Sequence, residues 1–163
     1  MWSPTFSAFP AIAIVTLLVT CPPAAADDRG ACKSSSGDVA IEACSNAITS
    51  KKFKGHTLSL LYTNRGVEYV AKEDLDHAIA DHDQAIKLDP KNSLAFNNRG
   101  NAYSAKRDFD RAIADYDQAI KLNPKNAAAL YNRGIAKQKN GDLAGSEADI
   151  AQAKQLQPSL GQQ

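Results

Sequence analysis

The side chains in this sequence with the most chemistry to offer are a cluster of His and Asp, a cysteine pair and a few polar residues that recur. Asp76-His77 lies close to Asp81-His82-Asp83, and His77 and Asp81 are four residues apart, a spacing that puts two metal ligands on one face of a helix. Aspartates stand at 81, 115 and 149 and again at 83 and 117, so paired acid and base chemistry has to be weighed. Lys51-Lys52-Phe53-Lys54 is a basic run with one aromatic, the composition that meets phosphates or an acidic partner. Asn64-Arg65, Asn98-Arg99 and Asn132-Arg133 offer amides and guanidiniums at a constant spacing. The sequence has no nucleophile elbow, no phosphate-cradling Gly loop and no His-x-x-x-His pair.

The elements that position these residues explain most of them. Pro90, Pro124 and Pro158 fall 34 residues apart, and residues 59–92 and 93–126, aligned on them, agree at 23 of 34 positions. Residues 127–160 continue the register more loosely. Each copy reads as two amphipathic helices, with apolar residues at spacings of three and four. They break at Glu73-Asp74, Arg107-Asp108 and Gly141-Asp142. Asp74, Asp108 and Asp142 are expected N-caps, each contributing about 1 kcal/mol through orphan amides and the helix dipole, and proline stops the second helix. In this register His82 takes the inward packing site of Tyr116 and Ile150, and His77 takes the outward site of Arg111. The recurring aspartates belong to the scaffold, so neither a metal nor a catalytic pair is expected.

Composition sets the class. The 163 residues are 44% hydrophobic and 23% charged, with a formal charge of +1, which fits one soluble domain and leaves no excess to hold nucleic acid or an anionic membrane. The three lysines of 51–54 are too few for counterion-release binding and read as a solvated linker. Residues 11–19 are an apolar run too short for about 30 Å of hydrocarbon, and Ala24-Ala25-Ala26 precedes Asp27. Residues 1–26 therefore read as a signal peptide, although Met1 to Pro10 carries no Lys or Arg. The rival is a lipoprotein anchored at Cys21, because Leu18-Val19-Thr20-Cys21 resembles a lipobox with an unusual Thr20. Cleavage after Ala26 leaves Cys32 and Cys44, an even pair in an oxidising compartment, which predicts a disulfide worth about 3 kcal/mol or somewhat less. The expected location is periplasmic or secreted.

The repeated residues resemble the tetratricopeptide repeat family. Its fixed sites are filled by Tyr62, Phe96 and Leu130; Gly66, Gly100 and Gly134; Tyr69 and Tyr103; Ala78 and Ala112; and Ala85, Ala119 and Ala153. The departures are Lys137 and Ser146, both in the last copy. The resemblance, like that to small exported repeat proteins of Gram-negative bacteria, implies an all-α solenoid of antiparallel helix pairs in a right-handed superhelical stack. Upstream, Ala40, Cys44 and Ala47 match Ala78, His82 and Ala85 at an offset of 38, so residues 27–58 read as an incomplete repeat with a four-residue insertion near Lys51 to His56. Cys32 lies on the segment replacing the missing first helix. Three repeats (59–92, 93–126 and 127–160) follow, and 161–163 are a tail. Ile41 and Ile48, Ile79 and Ile86, and Ile113 and Ile120 form stripes for stacking, replaced in the last copy by Glu147 and Lys154, so the array ends there.

The resemblance also implies a concave groove lined by the first helices, into which Asn64, Asn98 and Asn132 face. An amide donates and accepts, so a ladder of three suits an extended peptide of any sequence. Similar ladders hold substrate chains in O-linked N-acetylglucosamine transferase. Relatives that clamp acidic carboxyl-terminal tails add Lys one turn earlier, where this chain has Leu60, Leu94 and Ala128. That change argues for a neutral peptide, touched also by Asn97, Asn101 and Tyr131. Arg65, Arg99 and Arg133 are expected to pair with Asp81, Asp115 and Asp149. The expected function is noncatalytic protein or peptide binding by a monomer without cofactor, nucleic-acid partner or membrane span in the mature chain. A self-associating structural protein of the cell envelope is the alternative.

Overall fold

Three aspartates begin three helices in the same way. Asp74, Asp108 and Asp142 each accept the backbone N–H three residues on, from His77, Arg111 and Gly145. The turn before each cap is closed by a residue in the left-handed region, Glu73, Arg107 or Gly141. Its N–H bonds the carbonyl of Val70, Ser104 or Gln138, and the cap's own N–H reaches back to Tyr69, Tyr103 or Lys137 at 2.9 Å. Each helix pair thus folds back on itself through one repeated motif.

The computed structural model describes residues 28–160. The expected signal peptide, Cys21 and the tail at 161–163 lie outside the described residues. Within them the chain is helical throughout: α1 Asp28–Ser34, α2 Gly37–Thr49, α3 Gly55–Ala71, α4 Leu75–Leu88, α5 Ser93–Ala105, α6 Phe109–Leu122, α7 Ala127–Lys139 and α8 Leu143–Leu156. Every helix packs on the next, and the first helices of successive pairs also lie side by side, α3 against α5 and α5 against α7. This is an all-α solenoid. No described helix is long and apolar enough to cross a membrane.

The core is made of small residues at helix contacts and a few large ones between them. Ala78, Ala85, Ala112, Ala119 and Ala153 are fully buried, while Cys44, His82, Tyr116 and Leu130 fill the spaces. Gly66, Gly100 and Gly134 allow the closest approaches, since a Cβ at those positions would stand 2.6 Å from His82, 2.7 Å from Tyr116 and 2.7 Å from Ile150. The site that holds Tyr116 and Ile150 holds His82 in the first copy. Neither of its ring nitrogens has a hydrogen-bond partner. Burial, with Arg99 nearby, pushes its pKa down to about 4.

Two features at the start of the stack differ from the sequence reading. The segment carrying Cys32 is itself a short helix, α1, set against α2 and α3. Cys32 is bonded to Cys44 of α2, with Cα atoms 4.6 Å apart. The four-residue insertion adds a turn to α3, which has 17 residues where α5 and α7 have 13. Only a short connection, residues 50–54, separates it from α2, and Phe53 packs there on the cluster around the cysteines.

Candidate functional site

The arginines that follow the ladder asparagines are occupied in holding the stack together. Arg65 grips both oxygens of Asp81 at 2.7 Å and donates to Ser45 of the preceding pair at 2.9 Å. Arg99 does the same with Asp115 and Asp83, and Arg133 with Asp149 and Asp117. Each guanidinium ties its own second helix to that of the previous pair. The hydrogen bonds that Arg99 donates to Asp115 hold it above the ordinary arginine value. Burial pushes the Asp149 carboxyl up, but hydrogen bonds from Arg133 and Lys137 outweigh it and leave the group below the usual range. Tyr62 and Tyr69 flank Arg65, and Phe96 and Tyr103 flank Arg99.

The His and Asp cluster is dispersed by the same arrangement. Asp81 faces Arg65, whereas His77 is exposed, bonded through Nδ1 to Asp74 at 2.7 Å and set against Tyr69 with ring centres 5.2 Å apart. His82 points inward. These groups do not meet at a common point. Lys51, Lys52 and Lys54 are exposed on the connection before α3.

The face shared by α3, α5 and α7 carries three hollows in a row. The first, about 280 Å³, is lined by Arg29 and Lys33 of α1, Thr57, Leu60, Leu61 and Asn64 of α3, and Leu94 of α5. The second, about 240 Å³, is formed by Val67, Val70 and Ala71 with Asn98 and Asn101. The third, about 280 Å³, lies among Asn101, Ser104, Tyr116, Tyr131, Asn132 and Ile135. The ladder asparagines therefore fall one to a hollow, with Asn101 shared by two. Asn132 Nδ2 donates to Asn101 Oδ1 at 3.0 Å, and the Tyr116 hydroxyl donates to the same oxygen at 2.8 Å. Burial raises the Tyr116 phenol above the ordinary tyrosine value, so it remains a donor. Among the described residues Asn64 makes no side-chain hydrogen bond, and the amide nitrogens of Asn98 and Asn101 and the carbonyl oxygen of Asn132 are unused.

Asn97 departs from its expected role. It is 8% exposed, lines none of these hollows, and donates from Nδ2 to Asn98 Oδ1 at 3.1 Å. The reason lies in its register. Thr63, at the same site one copy earlier, is buried and receives a bond of 3.1 Å from Asn92, at the entrance to α5. The site thus faces the following pair. Tyr131, on the last described pair, is only half-buried and reaches the third hollow. Asn97 thus holds the Asn98 amide from behind the hollows.

Two groups of residues were not singled out in the sequence. Arg29 and Lys33 enter the first hollow from a helix without periodicity to announce it. Asn92 caps α5 through Ala95 N–H and binds Ser59 and Thr63 in a buried network that joins α3 to α5. Its recurrence as Asn126, which caps α7, was the available signal.

This geometry agrees with comparisons against known proteins. Family models described as tetratricopeptide repeat match residues 93–126 and 115–148, and one described as TPR repeat matches 66–106. The chain belongs to the tetratricopeptide repeat family. Among solved structures, this repeat chain is similar to the first TPR of Spaghetti (RPAP3) bound to the HSP90 peptide SRMEEVD. Identity is 25% and the TM-score 0.65, over 66% of this chain and 86% of that one. It is also similar to the second TPR of the same protein with the same peptide, at 25% identity and a TM-score of 0.61, over 69% and 99% of the two chains. The first TPR domain of human RPAP3 gives 26%, 0.64, 66% and 84%. No curated protein matches the chain.

Proposed function

We propose that this repeat chain is a noncatalytic adaptor that holds an extended segment of a partner protein along α3, α5 and α7. The observation that carries the reading is the row of amides, Asn64, Asn98 and Asn132, one in each of three consecutive hollows. Their unused donors and acceptors, with that of Asn101, suit a backbone that offers both. Val67 and Leu94, 43% and 52% exposed, add apolar contact between them, and Tyr131 closes the far end. Two similar structures hold a peptide, which supports the same use here. The arginines, fixed by aspartates, shape the groove without being free to meet the ligand.

We also propose that the adaptor acts outside the cytoplasm as a monomer, with residues 1–26 removed as a signal peptide. The apolar run at 11–19, the Ala24-Ala25-Ala26 site and a bonded Cys32–Cys44 pair support this. Amino-terminal sequencing of the mature protein is expected to begin at Asp27. A chain that retains Met1, or a lipid on Cys21, overturns it.

The groove is tested by Asn64→Ala, Asn98→Ala and Asn132→Ala together, in affinity capture from an extract of the source organism. The partner is expected to be lost while the helical circular dichroism signal is unchanged. Capture equal to wild type places binding elsewhere on the molecule.

A further inference from the structure

The two edges of the stack carry charge differently. The connections from each second helix to the next first helix share one edge, where His56 meets Asp89 and Asn92 reaches Ser59. Lys51, Lys52 and Lys54 stand on the first connection, Lys87 and Lys91 about the second, and Lys121 and Lys125 about the third, all exposed. Among the described residues none of these ammonium groups has an ion-pair partner. The carboxylate that stands among them, Asp89, is held by His56 and by the backbone N–H of Lys91 at 3.0 Å. On the opposite edge the cations are engaged, Lys72 with Asp38, Lys106 with Asp76 and Arg111 with Asp108. The formal charge of +1 is therefore a sum over two unlike edges. The basic run at 51–54, read from the sequence as an isolated linker, is the first of three basic connections. With packed helices roughly 8–10 Å apart, they make a positive strip about 20 Å long.

The rest of this edge is aliphatic. Leu122 and Leu156, which end α6 and α8, are 38% and 43% exposed close to Lys121 and Lys154, and Pro90 and Pro124 are exposed between the paired lysines. No arginine stands in the three connections to fork onto a phosphate, and their aromatic ring, Phe53, packs on the cysteine cluster and offers no platform for a base. Flexible ammonium groups around short aliphatic stubs match a fluid layer of negative headgroups, where leucine reaches the acyl boundary and lysine snorkels. We infer that this edge seats on an anionic phospholipid surface, with the lysines among the headgroups and Leu122 and Leu156 turned toward the acyl chains. The hollows open on the flank of α3, α5 and α7, so a partner segment can occupy them while the edge is seated. The inference stands apart from the groove reading, since it uses none of the ladder amides.

The probe is a set of phosphatidylcholine vesicles made with and without phosphatidylglycerol, incubated with the full chain and sedimented to read the bound fraction. The neutral vesicles control for the apolar run at 11–19, which does not distinguish the two compositions. A lysine near an anionic surface contributes roughly fivefold, so wild type is expected to favour the anionic vesicles by about tenfold or more, with the preference shrinking at high salt. Lys87→Gln, Lys91→Gln, Lys121→Gln and Lys125→Gln together should remove most of that preference while the helical circular dichroism signal is unchanged. Lys→Arg at the same four positions should preserve it. Lys72→Gln, Lys106→Gln, Arg107→Gln and Lys139→Gln take the same charge from the opposite edge, beyond the screening length, and should leave binding within about twofold of wild type. Equal binding of wild type to both vesicle types overturns the inference. An equal loss in the two Gln variants overturns it also, because net charge and not the edge would then set the preference. A short DNA duplex bound by wild type and lost in the first variant, with neither vesicle bound, gives the edge to nucleic acid instead.

Discussion

At position 82 the array buries a histidine where its later copies have Tyr116 and Ile150, and that exchange has a cost that depends on pH. The ring is fully buried with both nitrogens unpaired, so the folded chain accepts the proton only near pH 4, whereas an ordinary histidine does so near 6.5. Between those values the unfolded chain binds a proton that the folded chain refuses. Stability is therefore complete above about pH 6.5 and falls as pH drops toward 4, by up to about 3 kcal/mol. His82→Phe keeps a ring against Gly66 and removes both nitrogens. It is expected to flatten the acid limb of a urea-denaturation series and to add about 1 kcal/mol at pH 7. An unchanged acid limb would mean that other groups set it. At this scale the inward placement of His82 and the three Asp caps were legible, because the repeat gives each residue two aligned copies for comparison. Asn97 was not, since whether its site faces the groove or the next pair depends on a rotation about the helix that spacing alone leaves open.

Between elements, the arginine bridges do what backbone contact cannot, because they tie second helices that are separated by a first helix. Arg99 bonds Asp115 in its own pair at 2.8 and 2.6 Å and Asp83 in the preceding pair at 2.5 Å. Arg99→Ala leaves the buried Asp115 without its partner and should cost about 3 kcal/mol. Arg99→Leu with Asp115→Leu removes both charges and should recover most of that loss in the same denaturation measurement; failure to recover would assign the energy to the link with Asp83. The helix pairs themselves were readable from the sequence because their boundaries are written locally, by Asp at the start and Pro just past the end. α1 was not, because seven residues hold too little pattern, and its position is set by the bond to Cys44 and by packing on α3. The added turn of α3 was likewise visible only as an offset of four residues, without the information that it would be helical.

For the whole molecule, the last described helix pair differs from the earlier ones in the face that it presents. Each second helix from α2 to α6 presents a pair of isoleucines to the pair that follows: Ile41 and Ile48, Ile79 and Ile86, Ile113 and Ile120, all half-buried. On α8 the same sites are Glu147 and Lys154, both exposed, and Leu143, one turn before Glu147, is exposed as well, at 61%. The terminal face is thus nearly an interface already, and two charged residues keep it in water, since covering them would strip solvent from unpaired charges. Glu147→Ile with Lys154→Ile restores the stripe. Two such faces can pair about a two-fold axis, because each is its own complement. Light scattering across a dilution series is then expected to show the variant's mass doubling with concentration while the wild type stays at one chain. The single change Glu147→Ile should give a weaker form of the same behaviour, since one charge still has to be buried. If the double variant stays at one chain throughout, the end of the array is set by the shape of α8 and not by the charge on it.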